Sequence, residues 1–138
     1  MAATITSYAL DACALIAYLR NENGGEKLRE LFKQQGTRIL MHSVNLGEVY
    51  YDSLRVVGTA QAQELLDEIL QLPLHVIWTI DVRMITLLGF YKTSYRISYA
   101  DAFVLALAQQ ENALVISTDH HEFDVVEQSG SVRFYWLR

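Results

Sequence analysis

Four acidic residues stand where the sequence otherwise avoids charge. Asp11 lies between Y-A-L and A-C-A-L-I-A-Y-L and is the only charge in the twelve residues from Tyr8 to Leu19. Glu48 sits in V-N-L-G-E-V-Y-Y, Asp101 is the only charge from Ile97 to Gln110, and Asp119 comes just after the run A-L-V-I-S. Taken one at a time, each has a plain use. Asp11 can cap a helix, Ser98 with Asp101 has the spacing of a capping box, Glu48 can lie on a solvated helix face, and Asp119 suits a turn. Brought together, they have another use. Two carboxylates about 5 Å apart repel by roughly 3 kcal/mol at an effective dielectric near 20, and no Lys or Arg adjoins any of the four in sequence. Such a cluster calls for protonation, a distant basic partner or a divalent cation. An oxygen-only donor set suits Mg²⁺ or Mn²⁺ rather than Zn²⁺. The chemistry that follows is metal-assisted attack of water on a phosphodiester.

The elements that must position these acids alternate between short strand-like runs and longer helical ones. Strands are expected at Thr4–Leu10, Thr37–Met41, Leu74–Trp78, Ala113–Ser117 and, at an edge, Val132–Trp136. Helices are expected after Asp11 through Arg20, over Glu26–Gln35, from a Ser43 cap to Val57, from a Thr59 cap to about Leu72, and over Asp81–Tyr91 and Ser98–Gln110. Gly58 and Pro73 end the third and fourth helices in that order. Strands separated by helices imply crossover connections, hence a mainly parallel sheet of five strands covered on both faces: a three-layer α/β/α domain. All four acids are then expected at the C-terminal end of a strand or in the first turns of the next helix. That edge is where parallel α/β sheets place ligand sites.

Composition sets the outer bounds. The chain has 138 residues, 51% of them hydrophobic, with one proline, one cysteine and a net charge of −5. This fits one domain over residues 1–138, burying roughly two-thirds of the surface its unfolded chain exposes. The lone Cys13 rules out an internal disulfide and a multi-cysteine metal site, and points to a cytoplasmic protein. The Tyr8–Leu19 run carries Asp11, has no basic segment before it and falls short of the roughly 20 residues of a membrane span, so no membrane role is expected. The acidic balance argues against coating nucleic acid by charge alone, yet allows an enzyme that cuts it with a cation in place.

The segments Y-A-L-D-A-C-A-L-I-A-Y-L, S-V-N-L-G-E-V-Y-Y, I-S-Y-A-D-A-F-V-L-A-L-A and L-V-I-S-T-D-H-H-E-F resemble, in order, the four acidic motifs of the PIN domain. The similarity is greatest to its VapC-type toxin ribonucleases. It covers nearly the whole chain. The resemblance implies an Mg²⁺- or Mn²⁺-dependent endoribonuclease acting as the toxin of a toxin–antitoxin pair, with a small cognate antitoxin and a homodimer as partners. By motif, Asp11, Glu48, Asp101 and Asp119 match the family's four acids. Asp11, Asp101 and Asp119 would hold the metal, with Glu48 orienting a water or completing the coordination. Ser117 and Thr118 would support the carboxylates by hydrogen bonds from behind. Two positions depart from the pattern. Ala12 and Cys13 stand where a hydroxyl residue often follows the first Asp, and Phe123 lies four residues after Asp119, which leaves Glu122 as an extra acid.

Other features admit two readings each. Arg83, Lys92 and Arg96 fall in a stretch without acids, and Tyr91, Tyr95 and Tyr99 recur there every four residues. They read either as a packed aromatic face beside a solvated basic one, or as an RNA-binding rim in which Lys92 and Arg96 meet phosphate. His120 and His121, read as adjacent loop residues, lack the partners of a zinc site. His42 and His75 stand at strand ends. The broad apolar face of the helix carrying Val49, Tyr50, Tyr51, Leu54 and Val57 suits core packing, with a dimer contact or antitoxin groove as the family's alternative. Two further functions compete with the nuclease. One is a catalytically inactive PIN-like module that binds RNA or protein, which would have no need to keep four repelling acids. The other is a phosphoryl-accepting domain, which wants a lysine at a strand end, whereas Lys27, Lys33 and Lys92 fall in helices or loops.

Overall fold

A computed structural model of the chain describes residues 4–138. Its five strands are β1 (Thr6–Leu10), β2 (Thr37–His42), β3 (His75–Ile77), β4 (Leu114–Ser117) and β5 (Phe134–Trp136). They form one sheet in the order β3-β2-β1-β4-β5, with every neighbouring pair parallel. Seven helices connect them: α1 (Ala12–Leu19), α2 (Gly25–Lys33), α3 (Ser43–Val57), α4 (Thr59–Gln71), α5 (Val82–Ser94), α6 (Tyr99–Gln110) and α7 (His120–Ser129).

The period of two along each strand divides the core. Tyr8, Leu10, Ile39, Met41 and Ile116 pack with α1 to α4, while their neighbours Ala9, Leu40 and Val115 pack with α5, α6 and α7. This is the three-layer arrangement expected. It also explains why α6 is apolar nearly all round: Ala102 to Ala108 are all buried between the sheet and α5. The chain leaves β1 toward β2 and β3, then returns on the other side to β4 and β5. The strand order therefore reverses at β1 and β4, and their C-terminal ends form the edge where such sheets place a ligand cleft.

Several boundaries differ from the sequence reading, each for a local reason. His42, not Ser43, caps α3, its Nδ1 accepting from the Val44 N–H at 3.1 Å. Thr59 does not cap α4; Gly58 does, with φ of 82° and no side-chain bond. Helix α5 continues past Tyr91 to Ser94, with Thr93 bonding back to the Gly89 carbonyl at 2.9 Å. Helix α7 was not expected at all. Its apolar contribution is two side chains, Phe123 and Val126, too few to register as a period, and Asp119 proves to be its cap rather than a simple turn residue. The residues after β5 dock on the α1–α2 turn. There Gly24, at φ of 94°, lies so close that a Cβ would stand 2.5 Å from the Leu137 carbonyl oxygen.

Candidate active site

The cleft is built from Asp11 outward. Its N–H donates to the Ile116 carbonyl at 3.2 Å, continuing the β1–β4 pairing for one more step. Its extended backbone then starts α1, and Oδ1 accepts the Ala14 N–H at 2.7 Å. The cap expected for this residue is present. The other oxygen, Oδ2, accepts a hydrogen bond from the hydroxyl of Ser117, the last residue of β4. That same hydroxyl accepts the Asp119 N–H at 3.0 Å, so one serine ties two acids together. Asp119 in turn caps α7, its Oδ1 accepting the Glu122 N–H at 3.1 Å. Thr118 contributes its backbone carbonyl, which accepts from the His120 N–H.

Asp101 reaches the cleft by a different route from the one expected, because α6 follows α5 rather than a strand. Ser98 caps that helix by accepting the Asp101 N–H at 3.0 Å. Glu48, in the second turn of α3, is set against Asp101 by a residue the sequence reading passed over. Asn45 Nδ2 donates to the Ala100 carbonyl at 2.9 Å and to Glu48 Oε1 at 3.3 Å, joining α3 to the start of α6. The signal was available. A buried amide one helical turn before an acid, in an otherwise apolar stretch, has to be satisfied by something specific.

Electrostatics shows that the four acids share one neighbourhood. The Asp11 carboxyl is pushed up to about 7, chiefly by burial, against the pull of its Ser117 and Ala14 hydrogen bonds and with added repulsion from Asp101 and Asp119. Asp101 is raised to about 6, again chiefly by burial, opposed by Ser98 and reinforced by Glu48, Asp119 and Glu122. Burial raises Glu48 too, partly offset by Asn45. The thiol of Cys13, on the first turn of α1, is pushed up to about 12 by desolvation and then by all four acids, so it stays protonated and a poor nucleophile. Among the described residues, no ion pair with Lys or Arg involves any of the four.

That donor set fits a hard divalent cation. It offers carboxylate oxygen alone, no Lys or Arg pairs with it among the described residues, and burial holds Asp11 and Asp101 above the ordinary carboxylate range, a cost that a cation would relieve. Among the described residues no three His, Cys, Asp or Glu side chains form a ready-made metal cage. The fit is therefore to a cation that keeps most of its water and takes one or two carboxylates directly, as Mg²⁺ does. His120 and His121 lie in the first turn of α7, not on a loop. Both ring nitrogens of His120 are engaged, Nδ1 with Asp124 Oδ1 and Nε2 with the Arg138 carbonyl, each at 2.8 Å. The Asp124 contact raises its pKa, with the Arg138 carbonyl second.

The basic rim is less gathered. Lys92 Nζ donates to the Ile97 carbonyl at 2.6 Å and so holds the α5–α6 corner, while Arg96 is exposed nearby. The three tyrosines separate: Tyr91 is buried with its hydroxyl on Gln109, Tyr95 stacks on Tyr91, and Tyr99 is exposed beside Phe103. On α3, Val49 enters the core, whereas Tyr51 and Val56 face outward. Between α3, α4 and the β3 end runs an apolar groove of about 250 Å³, lined by Leu46, Tyr50, Leu66, Leu70 and Trp78. No helix among the described residues is long and apolar enough to cross a membrane.

Comparison with known proteins gives this geometry its context. The family model for the PIN domain matches residues 8–128. Comparison with curated proteins returns no match. Among solved structures, the chain is similar to VapBC2 of Rickettsia felis, bound to a DNA fragment from its promoter, with TM-score 0.73 and 20% identity over 95% of this chain and 98% of that one. It is also similar to VapBC-1 of nontypeable Haemophilus influenzae, with TM-score 0.72 and 16% identity over 96% of this chain and 98% of that one. A third is VapC20 of Mycobacterium tuberculosis, a toxin that cleaves the sarcin–ricin loop, with TM-score 0.67 and 13% identity over 86% of this chain and 94% of that one.

Proposed function

The chain belongs to the PIN domain family, and from that premise we propose that it is a metal-dependent endoribonuclease, the VapC-type toxin of a toxin–antitoxin pair. The observation that carries the proposal is the convergence of Asp11, Glu48, Asp101 and Asp119, with no Lys or Arg paired to them among the described residues. A catalytically inactive scaffold would gain stability by losing that repulsion.

Asp11, Asp101 and Asp119 would hold Mg²⁺ or Mn²⁺, with Glu48 completing the set. A cation bound there polarises the scissile phosphate and lowers the pKa of a water ligand. The chain's own residues do the rest. Ser117 and the Ala14 N–H fix both oxygens of Asp11, and Ser117 also fixes the backbone of Asp119. Asn45 aims Glu48 at Asp101. Glu48, with its pKa raised, is suited to orient the attacking water and accept its proton. Lys92 and Arg96 would meet the flanking phosphates of the RNA. Residues 1–138 would work as one PIN domain in the cytoplasm. The antitoxin would lay an apolar segment into the α3–α4 groove, as helices dock in grooves elsewhere.

The test is cleavage of total cellular RNA by antitoxin-free protein in Mg²⁺ or Mn²⁺, beside an EDTA control and Asp101→Asn. Cleavage that needs the metal and is lost in the variant is the expected result. Absence of cleavage by the unaltered protein on several RNAs, with no rise in melting temperature on adding metal, would favour the inactive binding module.

A further inference from the structure

Beside the acids lies a stack of aromatic rings that the four-acid chemistry does not use. The ring of His120 lies on Trp136, with centroids 3.7 Å apart and planes at 18°. Trp136 lies in turn on Phe134, at 5.0 Å and 8°. The pile is locked from several sides. His120 is held at both nitrogens by Asp124 and the Arg138 carbonyl, and Trp136 Nε1 donates to Glu127 Oε2 at 2.9 Å. The Arg138 backbone is itself anchored, because its guanidinium donates to the Asn23 carbonyl at 2.9 Å and pairs with Glu22.

Yet the His120 side chain keeps 46% of its surface exposed. One ring face lies on Trp136 and both edge nitrogens are bonded, which leaves the opposite face as the one a second ring could meet. A flat ring, immobilised and bare on one side, costs little ordering entropy when a second flat ring settles on it. The surroundings select what that second ring is. Asp124 and Glu127, whose charges bear on His120, would repel a phosphate, so the matching group is an uncharged π-system. His120 also follows Asp119 directly, as the first residue of the helix that Asp119 caps, so the platform and one of the four acids stand on consecutive residues.

We propose that the outer face of His120, backed by Trp136 and Phe134, is a stacking platform for one unpaired base of the RNA, next to the phosphate that is cut. This rests on the nuclease reading above and adds a base-binding subsite to it. Stacking of this kind tolerates any base, so the platform would position the strand and leave sequence choice to other contacts.

The experiment is binding of short single-stranded oligoribonucleotides of each base type, in Ca²⁺, read by fluorescence anisotropy. A matching series carries one abasic ribose walked along the strand. His120→Ala should bind about tenfold more weakly than the unaltered protein, and His120→Phe should recover most of the loss. At one position of the abasic series, the difference between His120 and His120→Ala should vanish. His120→Leu, apolar but not planar, should remain weak, and serves if the alanine variant does not fold. Binding unaffected by His120→Ala, or leucine rescuing as well as phenylalanine, would overturn the platform while leaving RNA cleavage standing. Unaltered protein that neither binds nor cuts any RNA would overturn the nuclease reading and the platform together.

Discussion

At Asp11 two demands fall on one carboxylate. It caps α1 and anchors Ser117, which calls for an acceptor, yet burial beside Asp101 and Asp119 resists its charge. Because its folded pKa of about 7 exceeds the ordinary 3.8, the folded state keeps a proton that the unfolded state has lost. Stability of the metal-free protein should therefore fall as pH rises from about 4 to about 7, and stay lower above that. Asp11→Asn should remove much of this slope, melting higher than the unaltered protein at about pH 8 while cleaving RNA at least a hundredfold more slowly. Thermal melts across pH with and without Mg²⁺ check this, and a variant that melts lower at alkaline pH would count against it. Ser117→Ala asks whether the shared hydroxyl matters: cleavage should need about tenfold more Mg²⁺ to saturate, with the fold kept. The four candidate acids stand out in the sequence because Asp11, Glu48 and Asp101 break apolar stretches and Asp119 follows closely on one. The residues that hold them were not. Ser117 and Asn45 act through contacts to distant segments, such as the Ser117–Asp11 bond across 106 positions, that no local pattern records.

Elements were legible where their period is long and their flanks carry strong stop signals, as for the buried α6 or the Gly58 break. They were missed where a helix is short and half exposed, as for α7, or where tertiary contacts decide the cap. His42 is the instructive case. A serine beside it has the better intrinsic capping tendency, but His42 is wedged against Phe103, with ring centroids 4.7 Å apart, and its Nε2 lies 3.0 Å from the Thr79 carbonyl. With Nδ1 accepting from Val44, the ring must be neutral and carry its proton on Nε2. Burial lowers its pKa. A histidine depressed in the folded state gives stability that is present above its unfolded value of about 6.5 and lost as pH falls below it. Nitrogen chemical shifts should report the Nε2–H tautomer at neutral pH. His42→Gln, unable to fill the same three roles, should destabilise the fold by about 1 kcal/mol or more. A shift pattern of the Nδ1–H form would contradict the capping geometry.

Over the whole molecule, apolar surface is unevenly spread. Trp78, Ile80, Val82 and Ile85 are all exposed around the start of α5, Val82 to 80%. A homodimer would cover such a patch. Val82→Glu should then shift the sedimentation profile toward monomer without changing the melting curve of the dilute protein, and an unchanged profile would remove this face from the interface. The strand order has a further consequence, in time rather than space. The central strand is made before the other four, yet its acid meets Ser117 and Asp119 only once the chain through β4 has followed it. Pairings so distant in sequence form late and slowly. A nascent chain still short of β4 therefore carries Asp11, Glu48 and Asp101 without Asp119, and the four-acid cluster is complete only once synthesis has passed the last acid.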